Sequence, residues 1–263
     1  MMKSDSVVII PTYNEKENIS NMIHTVLAIA EHQFDIMVVD DNSPDGTAQI
    51  VEDIIRECPQ RVHIIKREGK LGLGTAYITG FKWALQQGYA YVIEMDADFS
   101  HPTDKLHELQ AACHTAGADV AVGSRYKTGV NVVNWPMGRV LLSYYASAYV
   151  RLITGMDVRD TTAGFVCYRR EVLQAIDLDN VEFKGYAFQI EMKFTAHRMG
   201  FKIVEVPIVF VNRVLGTSKM SSGIFGEALF GVIKLRLETW FKPQKYRRRT
   251  TNTPQLPTAT TQQ

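Results

Sequence analysis

Two carboxylates spaced i and i+2, Asp96 and Asp98, close the apolar, β-rich run of residues 91–95 and precede the turn Phe99-Ser100-His101-Pro102. Carboxylates at the C-terminal edge of a buried strand lie where open α/β sheets bind their ligands. Two hard oxygen donors in such a place suit Mg²⁺ or Mn²⁺, a cation commonly shared with a substrate phosphate. The implied chemistry is that of a metal–diphosphate site. The same residues also fit a turn that caps the next helix through Ser100 or Thr103. The rest of the chain favours the metal site.

Other strand ends carry polar groups to the same edge. The run of residues 7–10 stops at Pro11-Thr12-Tyr13-Asn14-Glu15. A dinucleotide-binding fold would place Gly-x-Gly-x-x-Gly there; this chain offers a hydroxyl, a ring and a carboxylate suited to a base and ribose. The run 35–39 ends in Asp40-Asp41, acceptors for base N–H or ribose hydroxyls, although residues 42–46 are also ordinary turn chemistry. Residues 69–74, rich in glycine, lack the Gly-Lys-Ser/Thr of a P-loop and fit either a flexible helix entry or a loop beside a nucleotide. Farther on, Arg125 follows Gly123-Ser124, and Arg139 and Ser143 share one face of a helix expected over 139–153. Two guanidiniums and a hydroxyl suit a phosphate monoester, or are simply solvated on a helix face.

Positioning these groups requires alternating elements. Hydrophobic periodicity predicts strands at 7–10, 35–39, 61–66, 90–95 and 119–123, and helices at 15–30, 47–56, 74–87 and 102–116. Such alternation predicts an α/β fold with a doubly wound, mainly parallel sheet. A last helix, 223–241, carries Leu229, Phe230, Ile233, Leu237, Trp240 and Phe241 on one stripe, interrupted by Glu227, Lys234, Arg236 and Glu238. It is too charged to supply the ~20 apolar residues that span a bilayer. With Lys242, Lys245 and Arg247–Arg249 it fits an in-plane membrane helix followed by a polybasic patch, or a helix packed on the domain. The expected organisation is a catalytic domain at 1–222, this amphipathic helix, and a basic, then Thr/Pro/Gln-rich tail at 242–263 that should be disordered.

Composition sets outer limits. The chain has 263 residues, of which 46% are apolar and 22% charged, an ordinary globular balance. A net charge of +1 argues against general affinity for nucleic acid. Cys58, Cys113 and Cys167 have no metal-ligand spacing and predict reduced thiols of a cytoplasmic protein. The first residues show no secretory signal pattern.

Taken in order, Pro11–Glu15, residues 38–47, residues 70–74, Asp96-Ala97-Asp98 with His101-Pro102, and Gly123-Ser124-Arg125-Tyr126 resemble the dolichyl-phosphate mannosyltransferase branch of the GT-A inverting glycosyltransferases. The likeness runs over about residues 7–219. It implies a GT-A fold and transfer of mannose from GDP-mannose to a dolichyl or other polyprenyl phosphate, with inversion. It assigns Pro11, Tyr13, Glu15, Asp40 and Asp41 to the nucleoside, and Asp96, Ala97 and Asp98 to the donor diphosphate and its Mg²⁺ or Mn²⁺. Arg125, Arg139 and Ser143 fall to the lipid phosphate, Asp160 to a loop near the sugar, and Arg213 and Lys219 to a clamp on the diphosphate. Residues 189–192 match an acidic helix beneath the site. One departure stands at Ser100, where the family commonly has a glutamine contacting the metal site. Asp98, Arg125, Arg139 and Asp160 form the implied catalytic set, with no general base, because a phosphate oxygen is already anionic. The protein would sit peripherally on the cytoplasmic face of a membrane. A UDP-glucose-dependent sister enzyme and a nonenzymatic scaffold are the alternatives; a nucleotidyltransferase would need glycines where Pro11–Glu15 stands.

Overall fold

A computed structural model describes residues 4–29, 34–185, 187–213 and 224–248. Four short apolar runs form parallel strands: β1 (Ser6–Thr12), β2 (Phe34–Asp40), β3 (Val62–Lys66) and β4 (Tyr91–Glu94). Between them lie α1 (Ile19–Leu27), α2 (Thr47–Glu57) and α3 (Leu73–Gln87). There follow α4 (Leu106–His114), β5 (Val120–Ser124), β6 (Val132–Val133), α5 (Met137–Thr154), β7 (Val166–Arg169), α6 (Arg170–Ala175), α7 (Ala187–Arg198), β8 (Ile203–Pro207), β9 (Phe210–Val211) and α8 (Ile224–Phe241).

Seven strands make the main sheet in the order β3-β2-β1-β4-β7-β5-β8; β6 and β9 pair separately. Only β7 runs antiparallel to its neighbours β4 and β5. Strand residues alternate between two cores, as the pleat demands. Val7, Ile9, Val39 and Val92 face Tyr77, Phe81 and Phe188 of α3 and α7, whereas Val8, Ile10, Val38 and Ile93 face Ile23, Val51 and Leu109 of α1, α2 and α4. Each such aliphatic side chain contributes about 1.5–3 kcal/mol by burial. Helix α3 approaches the sheet closely because Gly80 has no side chain: a Cβ there would lie 2.6 Å from Ile9 Cγ2.

Two helices differ from the sequence pattern. The one expected from residue 15 begins at Ile19, after a turn in which the Glu15 carbonyl accepts N–H bonds from Asn18 and Ile19 at 3.0 and 2.9 Å. The one expected over 102–116 divides into a 3₁₀ turn, Thr103–Lys105, and α4.

Helix α8 does two things at once. Val232 and Leu235 join Val150, Ile190, Phe194 and Tyr246 in a third core that binds α8 to α5 and α7. The expected stripe residues Phe230, Ile233, Leu237, Trp240 and Phe241 point outward and are exposed. Of the basic residues that follow, Lys245 and Arg248 are tied to the domain, while Lys242 pairs with the adjoining end of α8 and stays largely exposed. Lys242 pairs with Glu238 at 3.0 Å, and Lys245 with Glu191 at 3.0 Å and Glu238 at 3.2 Å. Arg248 lies 3.9 Å over the Phe201 ring. Among the described residues no helix is long and apolar enough to cross a membrane. Lys219, Arg249 and the residues beyond lie outside the described part.

Candidate active site

Neighbouring strands β2, β1 and β4 end side by side. After each, the chain turns through a residue at positive φ: Asn42 (57°), Asn14 (55°) and Phe99 (60°). Asparagine tolerates that conformation; phenylalanine does so at a cost, a strain typical of functional turns. Phe99 directly follows Asp98, whose Oδ1 accepts the Ser100 N–H at 3.0 Å and whose Oδ2 faces Arg213 Nη2 at 2.7 Å. Ser100, the departure from the family pattern, thus supports Asp98 through its backbone.

Asp96 is more open, with 38% of its side chain accessible. Tyr77 donates to its Oδ1 at 3.4 Å, and its own N–H donates to His101 Nδ1 at 3.1 Å. Because Nδ1 accepts, the proton of neutral His101 sits on Nε2, 3.9 Å from Asp96 Oδ2. Stacking on Phe165 at 5.1 Å fixes that ring. Lost solvation raises the Asp96 carboxyl above its ordinary value; Asp98 adds to the rise and Arg213 opposes it. Among the described residues no group of three or more His, Cys, Asp or Glu could hold a metal alone. Two hard carboxylates suit a divalent cation completed by diphosphate or water oxygens.

At the nucleoside edge the expected residues divide. Lys70 Nζ lies 5.2 Å over the Tyr13 ring, which brings the glycine-rich loop to this edge. The Glu15 carboxylate accepts Asn18 Nδ2 at 2.9 Å and lies 3.8 Å from Arg213 Nη1. Pro11 lies within β1 opposite Val39. Asp40 is fully buried and serves the fold: it accepts Thr12 Oγ1 at 2.8 Å, Ser43 Oγ at 2.6 Å and the Ser43 N–H at 2.9 Å. Asp41 is held by Arg67 Nε at 2.6 Å; burial raises its pKa while Arg67 opposes the rise. Arg67 also reaches Thr75 Oγ1 at 2.7 Å, a role the sequence did not suggest.

The side expected to take the acceptor converges on aromatic rings. Arg125 donates from its backbone N and from Nε to Asp160 Oδ2 at 2.9 and 2.7 Å, and from Nη2 to Asp160 Oδ1 at 2.6 Å and Thr162 Oγ1 at 2.9 Å. Asp160 itself is fully buried, so it holds Arg125 in place. Tyr126, Trp135 and Phe210 surround the same guanidinium at 5.3, 5.5 and 5.6 Å. Arg139 stacks 3.9 Å over Trp135 and donates to Asn212 Oδ1 at 3.2 Å, and Ser143 accepts the Tyr126 hydroxyl at 2.8 Å. Arg125, Arg139 and Ser143 are therefore brought together as expected. The segment 210–213 connects the two sides: Phe210 touches His101 and Trp135, Asn212 holds Arg139, and Arg213 reaches Asp98.

Beneath both sides runs a buried polar chain. Lys193, fully buried, donates to the Ala163 carbonyl at 2.6 Å and to the Gln189 carbonyl and Oε1 at 3.0 and 3.2 Å. Gln189 Nε2 in turn donates to Glu94 Oε2 at 2.8 Å. Burial pulls Lys193 down to about 8 and pushes Glu94 up to about 8, with each one's charge opposing the other's shift. Trp135, Phe210, Asn212 and Lys193 were not singled out by sequence. A tryptophan placed i−4 to Arg139, at a helix entry, was the available signal for the first.

Residues 7–177 match the sequence profile of Glycosyl transferase family 2. The chain is 48% identical over 227 residues to the polyprenol monophosphomannose synthase of Mycolicibacterium smegmatis, covering 86% of this chain and 85% of that one. It is 47% identical over 228 residues to the undecaprenyl-phosphate mannosyltransferase of Micrococcus luteus, covering 87% and 92%. Among solved structures, the Mycobacterium tuberculosis glucosyl-3-phosphoglycerate synthase in complex with Mn²⁺, UDP and glucosyl-3-phosphoglycerate superposes with a TM-score of 0.61 at 20% identity, covering 89% of this chain and 79% of that one. That likeness establishes a GT-A-like α/β fold. With the profile spanning both carboxylates and both arginines, the chain belongs to glycosyl transferase family 2 and is a glycosyltransferase.

Proposed function

We propose that this enzyme transfers mannose from GDP-mannose to a polyprenyl (dolichyl-type) phosphate with inversion at the anomeric carbon. The observation that carries the reading is the pairing of cations on one side with carboxylates on the other, joined by the segment 210–213. The two relatives named for mannosyl transfer to polyprenyl or undecaprenyl phosphate support the choice of sugar and acceptor.

The acceptor oxygen is anionic at neutral pH and needs orientation, not deprotonation. Arg139 and Arg125, with the hydroxyl of Ser143, hold the phosphate by charge-assisted bonds. One phosphate oxygen forms a bond to the anomeric carbon as the bond to the donor diphosphate breaks, and the diphosphate leaves with the electron pair. An α-linked donor thus gives a β-linked product. Arg213, between Asp98 and Glu15, stands ready for the departing diphosphate, and Lys219 joins it by the family likeness. Mg²⁺ or Mn²⁺, held by Asp96 and Asp98, would stabilise the charge on the leaving group; the Mn²⁺ complexes of the structural neighbour support a divalent cation.

Helix α5 presents its sides in an order unusual for a water-soluble protein. Its inward positions are Arg139, Ser143, Ser147, Val150 and Thr154, whereas Met137, Leu141, Tyr145 (65% accessible) and Leu152 (82%) face outward. The outward residues of α8, which packs against α5, extend the apolar surface. A patch of this kind marks an interaction surface, and a lipid acceptor makes a bilayer the fitting partner. The membrane surface therefore includes α5 as well as α8, and depends less on the basic residues after Phe241.

The test is transfer of radiolabelled sugar from GDP-mannose to a polyprenyl phosphate in detergent, with Mg²⁺, Mn²⁺ or EDTA and with UDP-glucose in parallel. Metal-dependent, lipid-extractable mannose is expected. Activity with UDP-glucose alone would overturn the donor assignment.

A further inference from the structure

We propose that Trp135 is the positioning residue of the acceptor site: its indole face holds Arg139 in register with Arg125, and its packing on Phe210 ties the pair to the donor edge. The inference rests on the reading of both arginines as ligands of the acceptor phosphate.

Two cations that converge on one anion repel each other until the anion arrives. Asp160 offsets the charge of Arg125 through its bidentate pairing. The ring of Trp135 does the corresponding work for Arg139, whose Cζ lies 3.9 Å from its centroid. A cation over an indole face is attracted by the ring quadrupole, and tryptophan is the strongest of the aromatic side chains in this respect. Arg125 Cζ is also within 5.5 Å of the same centroid, so one ring serves both guanidiniums. A stacked guanidinium directs its N–H groups outward in its own plane, and there Arg139 Nη1 donates to Asn212 Oδ1 at 3.2 Å.

Two further contacts bear on the assignment. Trp135 meets Phe210 edge-to-face at 5.3 Å, and Phe210 meets His101 at 5.6 Å. His101 accepts the Asp96 N–H, so an unbroken line of rings runs from the acceptor arginines to the metal carboxylates. In addition, Trp135 Nε1 is buried with no hydrogen-bond partner among the described residues. Phenylalanine would fill much of the same space without that orphaned donor. What tryptophan adds is the larger and more electron-rich face.

The experiment compares Trp135→Phe, Trp135→Leu and Arg139→Gln, measuring kcat, the acceptor KM with a short-chain polyprenyl phosphate in detergent, and GDP binding by calorimetry. Trp135→Leu should raise the acceptor KM about tenfold and Trp135→Phe about threefold or less, both with unchanged GDP affinity. A loss confined to kcat, or equal effects of Phe and Leu, would overturn the positioning role. Tetrafluorotryptophan at position 135, in a Trp83→Phe/Trp240→Phe background, weakens the ring quadrupole at constant shape and should also raise the acceptor KM. An unchanged KM there overturns the proposal even if Trp135→Leu fails to fold. If Arg139→Gln leaves the acceptor KM unchanged in an enzyme that still transfers sugar, the underlying assignment of the arginines falls, and this inference with it.

Discussion

On the proposed donor edge the groups facing a ligand are carboxylates, Asp96 and Asp98, set directly behind one strand and supported by bonds within five residues of sequence and, from farther off, by Tyr77 and Arg213. On the proposed acceptor edge they are guanidiniums, Arg125 and Arg139; Tyr126 and Trp135 lie near them in sequence, and the other supports, Asp160, Asn212 and Phe210, come from positions 35 to 85 residues away. One edge is shaped by a strand, a tight turn and a strained Phe99; the other exists only once β5, α5, the loop at Asp160 and the segment 210–213 have packed. On the proposed reading, local geometry prepares most of the place for a cation, and tertiary packing most of the place for an anion.

Asp98→Asn separates the two edges most sharply. It should lower kcat on the order of 10²–10³-fold, comparable to loss of one strong electrostatic stabiliser of the leaving charge. The acceptor KM should move little, and added Mn²⁺ should not restore the rate. A variant that lost acceptor affinity alone would erase the distinction between the edges. Asp160→Asn should act on the opposite edge and through stability. Removing one partner of a buried ion pair leaves Arg125 uncompensated and costs about 3–5 kcal/mol. Urea denaturation of the variant tests this, and a shift below about 1 kcal/mol would mean that water reaches Arg125 freely.

The same contrast explains what could be read in the sequence. Strands β1, β2 and β4 and the carboxylates behind them are encoded by contiguous stretches, a β-branched run ended by proline or aspartate, so their bounds came out within a residue or two. Asp40 shows what such reading leaves out: besides the ligand chemistry the acidic pair suggests, its oxygens accept from Thr12 and Ser43. Phe210 and Asn212 carry no local signature, since their contacts with His101 and Arg139 cross 109 and 73 residues of chain. Lys193 is similar. Its position inside a buried helix could be read, but its partner Ala163 could not.

Glu94, beneath the donor edge, sharpens the comparison by pH. Burial raises it from 4.5 to about 8, so the native chain keeps a proton that the unfolded chain releases. The stability tied to that proton is complete below pH 4.5 and is lost as pH rises through about 8. Glu94→Gln should flatten this part of the curve, measured as urea midpoints between about pH 5 and about pH 8. An unchanged slope would place the titrating group elsewhere.

The smallest effect concerns the outward face of α5, whose inner face carries the acceptor residues. Replacing Met137, Leu141 and Tyr145 by serine removes apolar surface without touching Arg139 or Ser143. Binding to vesicles of phosphatidylcholine and phosphatidylglycerol should fall several-fold, because less apolar surface is left to enter the headgroup boundary. Transfer to a short-chain acceptor in detergent should persist, because no bilayer is involved. If vesicle binding survives this change but is lost on deleting residues 223–263, the surface belongs to α8 alone. Failure of the unaltered protein to bind these vesicles at all would sink the bilayer assignment. A helix that turns apolar residues outward and its arginine inward would then have to meet a protein partner, and the acceptor phosphate would have to be delivered from solution.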